Sequence, residues 1–349
     1  MPELLELTDR GLFCSAGDFY IDPWRPVDRA IVTHAHADHA RPGMNRYLTC
    51  PEGEHVLRTR MGSEATIETV PFGKRVTING VTVSLHPAGH ILGSAQVRVE
   101  SAGEVWVVSG DYKTEPDPTC TAFEPVRCHT FITESTFGLP IYQWPDQASV
   151  FAEVNAWWRA NADAGKTSLL CGYALGKAQR LIAGVDASTG TIYCHGAVET
   201  CNRNYRASGI PLPETQYAGT GERGGKTFAG SLVIAPPSAL GTPWMRKLGD
   251  VSTAFASGWM LVRGQRRRRA VDRGFVLSDH ADWPGLFGAI KETGCKRVYV
   301  THGSRAVMVR RLTELGYEAH SLETWFEGEQ DAGGAEAEEE ALLGEATNE

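Results

Sequence analysis

The stretch IVTHAHADHA, residues 31–40, places His34, His36, Asp38 and His39 within six positions. The chain has only 11 histidines, so three in one short segment ask for a chemical reason. The preceding DRAIVTH reads as a short strand ending near Thr33, followed by a loop that turns into a helix beginning close to Asp38. If the backbone stayed extended, 34, 36 and 38 would share one face; if it turns, all four side chains still converge on a small volume. Imidazole nitrogen and carboxylate oxygen are natural ligands for zinc. A polar strand end with a capping aspartate would explain one histidine, not three. Four such groups are more than one catalytic zinc takes from a single segment, so the pattern suggests two metals.

A second metal needs more ligands, and the chain offers them where apolar runs end. His90 lies in PAGHILGSA, Asp111 in VVSGDY, His280 in VLSDHAD and His302 in VYVTHG. Each alone is compatible with an ordinary loop residue. The repeated order of strand, then His or Asp, then Gly or turn is harder to dismiss. A carboxylate placed like Asp111 can bridge two metals about 3.5–4 Å apart.

The elements that carry these residues fall into two kinds. Residues 1–135 read as short strands: RVTINGVTVSLH is a hairpin turning at Asn79-Gly80, and AQVRVESAGEVWVVSGD is a second turning near Ala102-Gly103. TFITES is a further apolar strand. From about residue 146 the pattern alternates. DQASVFAEVNAWWRANADAG and LGKAQRLIAGVDAS read as helices, with TSLLCGYA, TIYCHG, GSLVIAP and VSTAFASG as strands. That alternation implies a separate α/β unit with a mostly parallel sheet. The last part returns with GFVLSDH, a helix in DWPGLFGAIKETG, the strand KRVYVTHG and the helix SRAVMVRRLTELG. No internal repeat is present.

With these motifs in this order the chain resembles the β-CASP nucleases of the metallo-β-lactamase fold. That group includes the Artemis- and Apollo-type DNA nucleases, the RNase J type and the pre-mRNA 3′-end endonuclease. Asp22 in FYIDPWRPVD matches the first motif, HAHADH the second, His90 the third and Asp111 the fourth. Glu134 in ITESTFG resembles the acid that opens the inserted domain, GYALGKAQRL its helix-start segment, and His280 and His302 its two closing histidines. The resemblance covers about residues 5–325. It implies an α/β architecture: an αββα sandwich in residues 1–136 and 277–326, an inserted β-CASP α/β domain in 137–276, and a tail at 327–349.

Closer still, GDFYIDPWRPVDRAIVTHAHADHARPG resembles bacterial ligase-associated DNA exonucleases. This resemblance supplies the expected substrate, single-stranded DNA ends, and the expected functional partners: an ATP-dependent DNA ligase, a large helicase and a phosphoesterase. It also implies roles. One divalent ion, zinc or manganese, would take His34, His36 and His90; the other Asp38, His39 and His302; Asp111 would bridge. Asp22 would hold a ligand imidazole in its tautomer. His280, oriented by Glu134, would serve the leaving oxygen. Against the DNA reading stands His302, because a histidine there is common among the group's RNA processors and the Artemis type carries an aliphatic residue.

Composition sets the remaining bounds. The net charge of −8 argues weakly against a polyanion partner, but the acid is concentrated in EGEQDAGGAEAEEEALLGEATNE, which reads as a disordered tail. RGQRRRRA carries Arg266 to Arg269, a patch for tracking phosphates or an ordinary solvated hairpin. Lys113 and Lys177 are single candidates for phosphate contact. The eight cysteines form no C-x-x-C pair and read as free thiols. No apolar run approaches membrane-spanning length, and the acidic MPELLELTDR is unlike a signal peptide, so the expectation is a soluble cytoplasmic protein with no membrane partner. YAGTGERGGKTF lacks phosphate-loop spacing. His55, His86, His129, His195 and His320 read as ordinary residues, and Trp157 and Trp158 as core. The rival readings are an RNase J-like RNA nuclease, a small-molecule hydrolase, and an inactive scaffold subunit; the inserted domain argues against the second and the full ligand set against the third.

Overall fold

The computed structural model describes residues 3–219, 228–262 and 271–324. Arg266 to Arg269, residues 220–227 and the tail expected at 327–349 lie outside the described residues. The chain divides into two units. One is built from the chain up to Gln143 and again from His280; the other is Trp144–Asp279.

The first unit opens with six short strands: β1 (Glu6–Thr8), β2 (Gly11–Cys14), β3 (Phe19–Ile21), β4 (Arg29–Ile31), β5 (Arg46–Thr49) and β6 (Ile67–Thr69), with helix α1 (Glu54–Met61) between the last two. They form one sheet in sequence order, antiparallel from β1 to β3 and parallel from β3 to β6. A second sheet begins with β7 (Val76–Ile78), β8 (Val81–Pro87), β9 (Ala95–Ser101), β10 (Glu104–Val108) and β11 (Thr130–Thr133).

The β7–β8 and β9–β10 hairpins follow from their turns. Asn79 and Gly80 have φ of 47° and 85°, and Ala102 and Gly103 have 51° and 82°. Two successive positive φ values match the right-handed twist of the flanking strands, which is why a two-residue loop works there. Ala102 gives up about 1 kcal/mol to sit left-handed.

The second unit holds α2 (Gln147–Asp163), β12 (Thr167–Cys171), α3 (Lys177–Gly184), β13 (Ile192–Cys194), α4 (Gly196–Ala207), β14 (Gln216–Tyr217), β15 (Leu232–Ala235), β16 (Val251–Ala256) and β17 (Arg273–Phe275). Its strands lie in the order β14-β13-β15-β12-β16-β17, and every pairing is parallel. Asp146 caps α2 by accepting the Ser149 N–H at 2.9 Å. Trp157 and Trp158 are buried on that helix and donate to Ser252 Oγ and the Gly230 carbonyl. Lys177 is not free for phosphate. It is buried and its ammonium sits 2.7 Å from Asp279, which Arg180 also contacts at 3.2 Å.

The chain returns to the first unit with α5 (Trp283–Thr293), β18 (Arg297–Val300), α6 (Arg305–Glu314) and β19 (Glu318–Ser321). These strands complete the second sheet, ordered β19-β18-β11-β10-β9-β8-β7. Its strand period of two sorts the side chains between two cores. Along β10, Trp106 and Val108 point inward and pack with Leu12, Ile21, Ile31 and Leu48 of the first sheet. Val105 and Val107 point outward, with Phe131 and Val298, onto Leu286, Ile290, Met308 and Leu312 of α5 and α6. At about 1.5–3 kcal/mol for each fully buried large apolar side chain, these two layers hold the unit together. The polar site at the strand ends is therefore not what folds it.

Among the described residues no helix is long and apolar enough to cross a membrane, and all eight cysteines are free.

Candidate metal centre

The β4 strand stops at Ile31, and Val32 still donates to the Leu48 carbonyl at 2.9 Å. The Thr33 carbonyl is held across to the second sheet by the Ala95 N–H at 2.7 Å. Beyond it the chain makes a single turn, with His39 and Ala40 donating to the His36 carbonyl at 3.1 and 2.8 Å. The helix expected from Asp38 does not form. Pro42 follows, and the residue before a proline is kept out of the helical region.

Three imidazoles meet at one point. Nε2 of His34 and Nε2 of His90 lie 3.1 and 3.0 Å from Nδ1 of His36. Ligands about 2.0–2.1 Å from a tetrahedral zinc lie about 3.3 Å from one another, so this is the spacing of donors around one ion. Thr33 fixes the tautomer of His34. Its hydroxyl donates to Asp22 Oδ2 at 2.6 Å, so at 3.1 Å it accepts from Nδ1 of His34 and leaves Nε2 bare. His90 is delivered by the loop between β8 and β9, where Ser94 Oγ accepts the N–H groups of His90 and Ile91 at 3.0 and 3.2 Å.

A second cluster forms beside it from His39, Asp111 and His302. Asp22 takes the Nδ1 proton of His39 at 2.7 Å and the Thr33 N–H at 2.8 Å. Nε2 of His39 then lies 3.5 Å from Asp111 Oδ2 and 3.6 Å from Asp38 Oδ2. Asp38 thus touches this cluster through His39. Nδ1 of His302 lies 3.9 Å from Asp111 Oδ1.

Asp111 belongs to both groups. Its Oδ2 is 3.6 and 3.9 Å from Nε2 of His34 and of His90 as well. It comes directly after Gly110, whose φ of 57° turns the chain off the end of β10. Asp111 Oδ1 and His39 Nε2 are buried and have no hydrogen-bond partner. Buried polar atoms are almost always satisfied, so two orphans in one His/Asp cluster are what ligands of a divalent cation look like without it. The donor set, nitrogen and carboxylate oxygen, suits zinc or manganese.

Burial pushes His34 well below the usual imidazole range, helped by the charge on His39. Burial also disfavours charge on His39, but the Asp111 and Asp38 carboxylates outweigh it and its pKa stands well above the ordinary value. Burial would raise Asp111; the positive charge on His39 reverses this and holds the carboxyl well below its usual range. Burial lowers His302 despite Asp111.

His280 lies at the edge of the first cluster, its ring 4.6 Å from that of His90. Nδ1 of His280 is 2.9 and 3.0 Å from the two oxygens of Glu134, and Glu134 Oε1 also accepts the Tyr112 N–H at 2.9 Å. All three residues are buried. Asp111, Glu134 and His280 could also group around an ion. The Glu134 oxygens are already spent on Nδ1 and a backbone donor, so an oriented imidazole is the better account. A cavity of about 60 Å³ adjoins the second cluster, lined by Asp22, Asp38, His39 and His302 among apolar residues such as Ile21 and Val108.

The site residues named from sequence therefore come together: His34, His36, His90 and Asp111 in one group, His39, Asp111 and His302 in the next, with Asp22, Asp38, Glu134 and His280 in contact with them. Lys113 does not join. It is buried, and its ammonium donates to the Glu115 carbonyl at 2.6 Å. Thr33 and Tyr112 were missed. Each acts through a hydroxyl or a backbone group, and its only sequence signal is its position beside a motif residue.

No family model matches the chain. It is similar to "Probable DNA ligase" of Opitutus terrae, 29% identical over 324 residues, which is 92% of this chain and 31% of that protein. It is also similar to "Cleavage and polyadenylation specificity factor 73" of Drosophila melanogaster, 30% identical over 181 residues, 50% of this chain and 26% of that protein. "Endoribonuclease YSH1" of Saccharomyces cerevisiae is 31% identical over 122 residues, 34% of this chain and 15% of that protein. These similarities support the β-CASP metallo-β-lactamase family. The chain spans less than a third of the length of each of these relatives. In fold it is like a crystal structure of a protein of unknown function from Enterococcus faecalis, with a TM-score of 0.57 and 13% identity, covering 86% of this chain and 80% of that one.

Proposed function

We propose that this chain is a two-metal phosphodiesterase that degrades DNA from single-stranded ends, working in repair alongside an ATP-dependent DNA ligase. One observation carries the hydrolytic part: the Asp111 carboxylate is shared by two histidine clusters. The named relatives include endoribonucleases, which supports phosphodiester hydrolysis as the reaction class. The choice of DNA rests on the resemblance to ligase-associated exonucleases and on the similarity to a protein named as a probable DNA ligase, which runs over 92% of this chain. A helicase and a phosphoesterase are the further partners that this resemblance suggests.

In this reading His34, His36 and His90 would hold one divalent ion and His39, His302 and Asp38 the other, with Asp111 belonging to both groups. Bound there, the ions supply water activation and neutralise charge on the phosphate. The protein's own residues do the rest. Asp22 keeps the proton of His39 on Nδ1, so Nε2 stays a donor to the ion. Glu134 holds Nδ1 of His280, which leaves Nε2 to carry a proton to the departing sugar oxygen.

A second reading, an RNA nuclease, is favoured by the names of several relatives and by a histidine at 302. A metal ligand senses phosphate, whereas telling RNA from DNA takes contact with the 2′-hydroxyl, so His302 alone does not decide. The test is one sequence made as linear DNA, circular DNA and linear RNA. The expected result is digestion of linear single-stranded DNA with little sequence preference, slowed as salt rises. Faster cutting of the RNA moves the substrate to the second reading. Equal cutting of circle and line removes the requirement for an end.

A further inference from the structure

We infer that Ser135 is a positioning residue that sets the second metal cluster by bending the backbone that delivers His302. The inference rests on the proposal that His302 is a ligand. His302 comes just after β18, and its φ of 53° is followed by 59° at Gly303. Two left-handed residues in succession do not arise from strand propensity, and the first is not glycine, so something must hold them. Up to Thr301 the chain is still on the sheet, its N–H donating to the Thr133 carbonyl at 2.8 Å. There Ser135 takes over. Its hydroxyl donates to the Thr301 carbonyl at 3.1 Å and to the carbonyl of His302 itself. Its own carbonyl accepts the Ser304 N–H at 3.0 Å.

The approach is close enough to dictate the sequence. A Cβ on Gly303 would fall 2.1 Å from the Ser135 carbonyl oxygen, so only glycine fits. Ser135 is fully buried, so bulk solvent does not compete for its hydroxyl. Two carbonyls pointed at one hydroxyl rotate the chain, and that rotation brings Nδ1 of His302 to Asp111. Ser135 also follows Glu134, the partner of His280. Adjacent residues thus fix the two closing histidines, one through its side-chain acid and the other through a backbone bend.

The inference separates from a general structural role by which ion it affects. Removing the hydroxyl should weaken the cluster that contains His302 and leave the group of His34, His36 and His90 alone. The experiment titrates metal-free protein with Co²⁺ and with Zn²⁺, following the visible spectrum and bound metal for wild type, Ser135→Ala, Ser135→Cys and His302→Ala. Ser135→Cys keeps the shape with a weaker donor and serves if the alanine variant folds poorly. The expected result is that the second equivalent binds at least about tenfold more weakly in Ser135→Ala, with its spectrum altered. In Ser135→Cys it is weakened less, and the first equivalent and the metal-free melting temperature stay near wild type. The fold cost sets the scale, since a mis-set or unsupported ligand costs about 10–100-fold in metal affinity. If His302→Ala weakens the second equivalent and both serine variants titrate like wild type, the inference is overturned and the ligand assignment stands. If the serine variants weaken both equivalents alike, Ser135 is merely structural and the inference also falls. If His302→Ala changes neither equivalent, the ligand assignment itself fails.

Discussion

The Asp22 carboxylate lies 2.7 Å from Nδ1 of His39 and so turns the other ring nitrogen, buried and without a hydrogen-bond partner, toward Asp111. Asp22 is 17 residues away in sequence and reaches the ring from the end of β3, where it sits at a φ of 45°. The pairing sets both the tautomer and the ring plane. Asp22→Ala should therefore weaken the ion at the His39 cluster by about 10–100-fold, the usual effect of losing a ligand's outer partner. Metal titration of the variant checks this, with the His34 cluster as the internal reference. Asp22→Asn should fall between, since the amide oxygen can still accept the Nδ1 proton.

Asp111→Ala removes the one carboxylate shared by both clusters. Hydrolysis should fall to near background, because in the proposed centre both ions would lose a shared ligand. The fold should survive, since the residue lies past the end of β10 and outside both apolar cores. Metal analysis of active wild type should find two ions per chain. A fully active protein with one ion would refute the bridging role.

His280→Ala should cut turnover by about 10²–10⁴-fold, the range for losing a proton donor or acceptor, while both ions stay bound. Glu134→Gln should lower turnover less, because the amide oxygen can still take the Nδ1 proton at 2.9 Å. Loss of a metal from His280→Ala would instead make it a ligand and revive the grouping of Asp111, Glu134 and His280.

What could be read from the sequence, and what could not, follows from how each residue acts. His34, His36, His90, Asp111 and His302 announce themselves because ligand types stand where apolar strands stop. The two hairpins were legible because Asn79-Gly80 and Ala102-Gly103 carry a local turn signal. The first sheet was less so: β1, β3 and β6 are three residues long, too short for a period of two to register. Lys113 and Lys177 looked available only because a sequence cannot show that a lysine is buried against a carbonyl or an aspartate. Ser135 was invisible because it works on main-chain carbonyls, which every residue has.

Gly110 links the two sides of the site. Its φ is 57°, and a Cβ there would fall 2.7 Å from Cβ of Thr33. Thr33 in turn holds Asp22 and the tautomer of His34. Gly110→Ala should therefore cost about 1–3 kcal/mol of stability for the backbone alone. It should also push Asp111 and Thr33 apart, so activity should fall more than the folded fraction does. Denaturant melts and turnover measured on the same sample separate the two effects. Loss of stability with full specific activity of the folded fraction would argue against this contact as part of the site.

Stripping the metal should destabilise the first unit. Five imidazoles are packed with the Asp111 carboxylate, His39 Nε2 and Asp111 Oδ1 have no hydrogen-bond partner, and a ligand that binds only the folded state stabilises it by mass action. At a free metal concentration about 1,000 times the dissociation constant this amounts to about 4 kcal/mol. A chelator should therefore lower the melting temperature of wild type by several degrees, and added Zn²⁺ or Mn²⁺ should restore it. Asp111→Ala is the control: lacking the bridge, it should show a much smaller shift. An equal shift in both would mean that the stabilising metal binds somewhere other than the two clusters. No shift in either would mean that the clusters do not take metal at the concentrations used, which would remove the basis for the proposed chemistry.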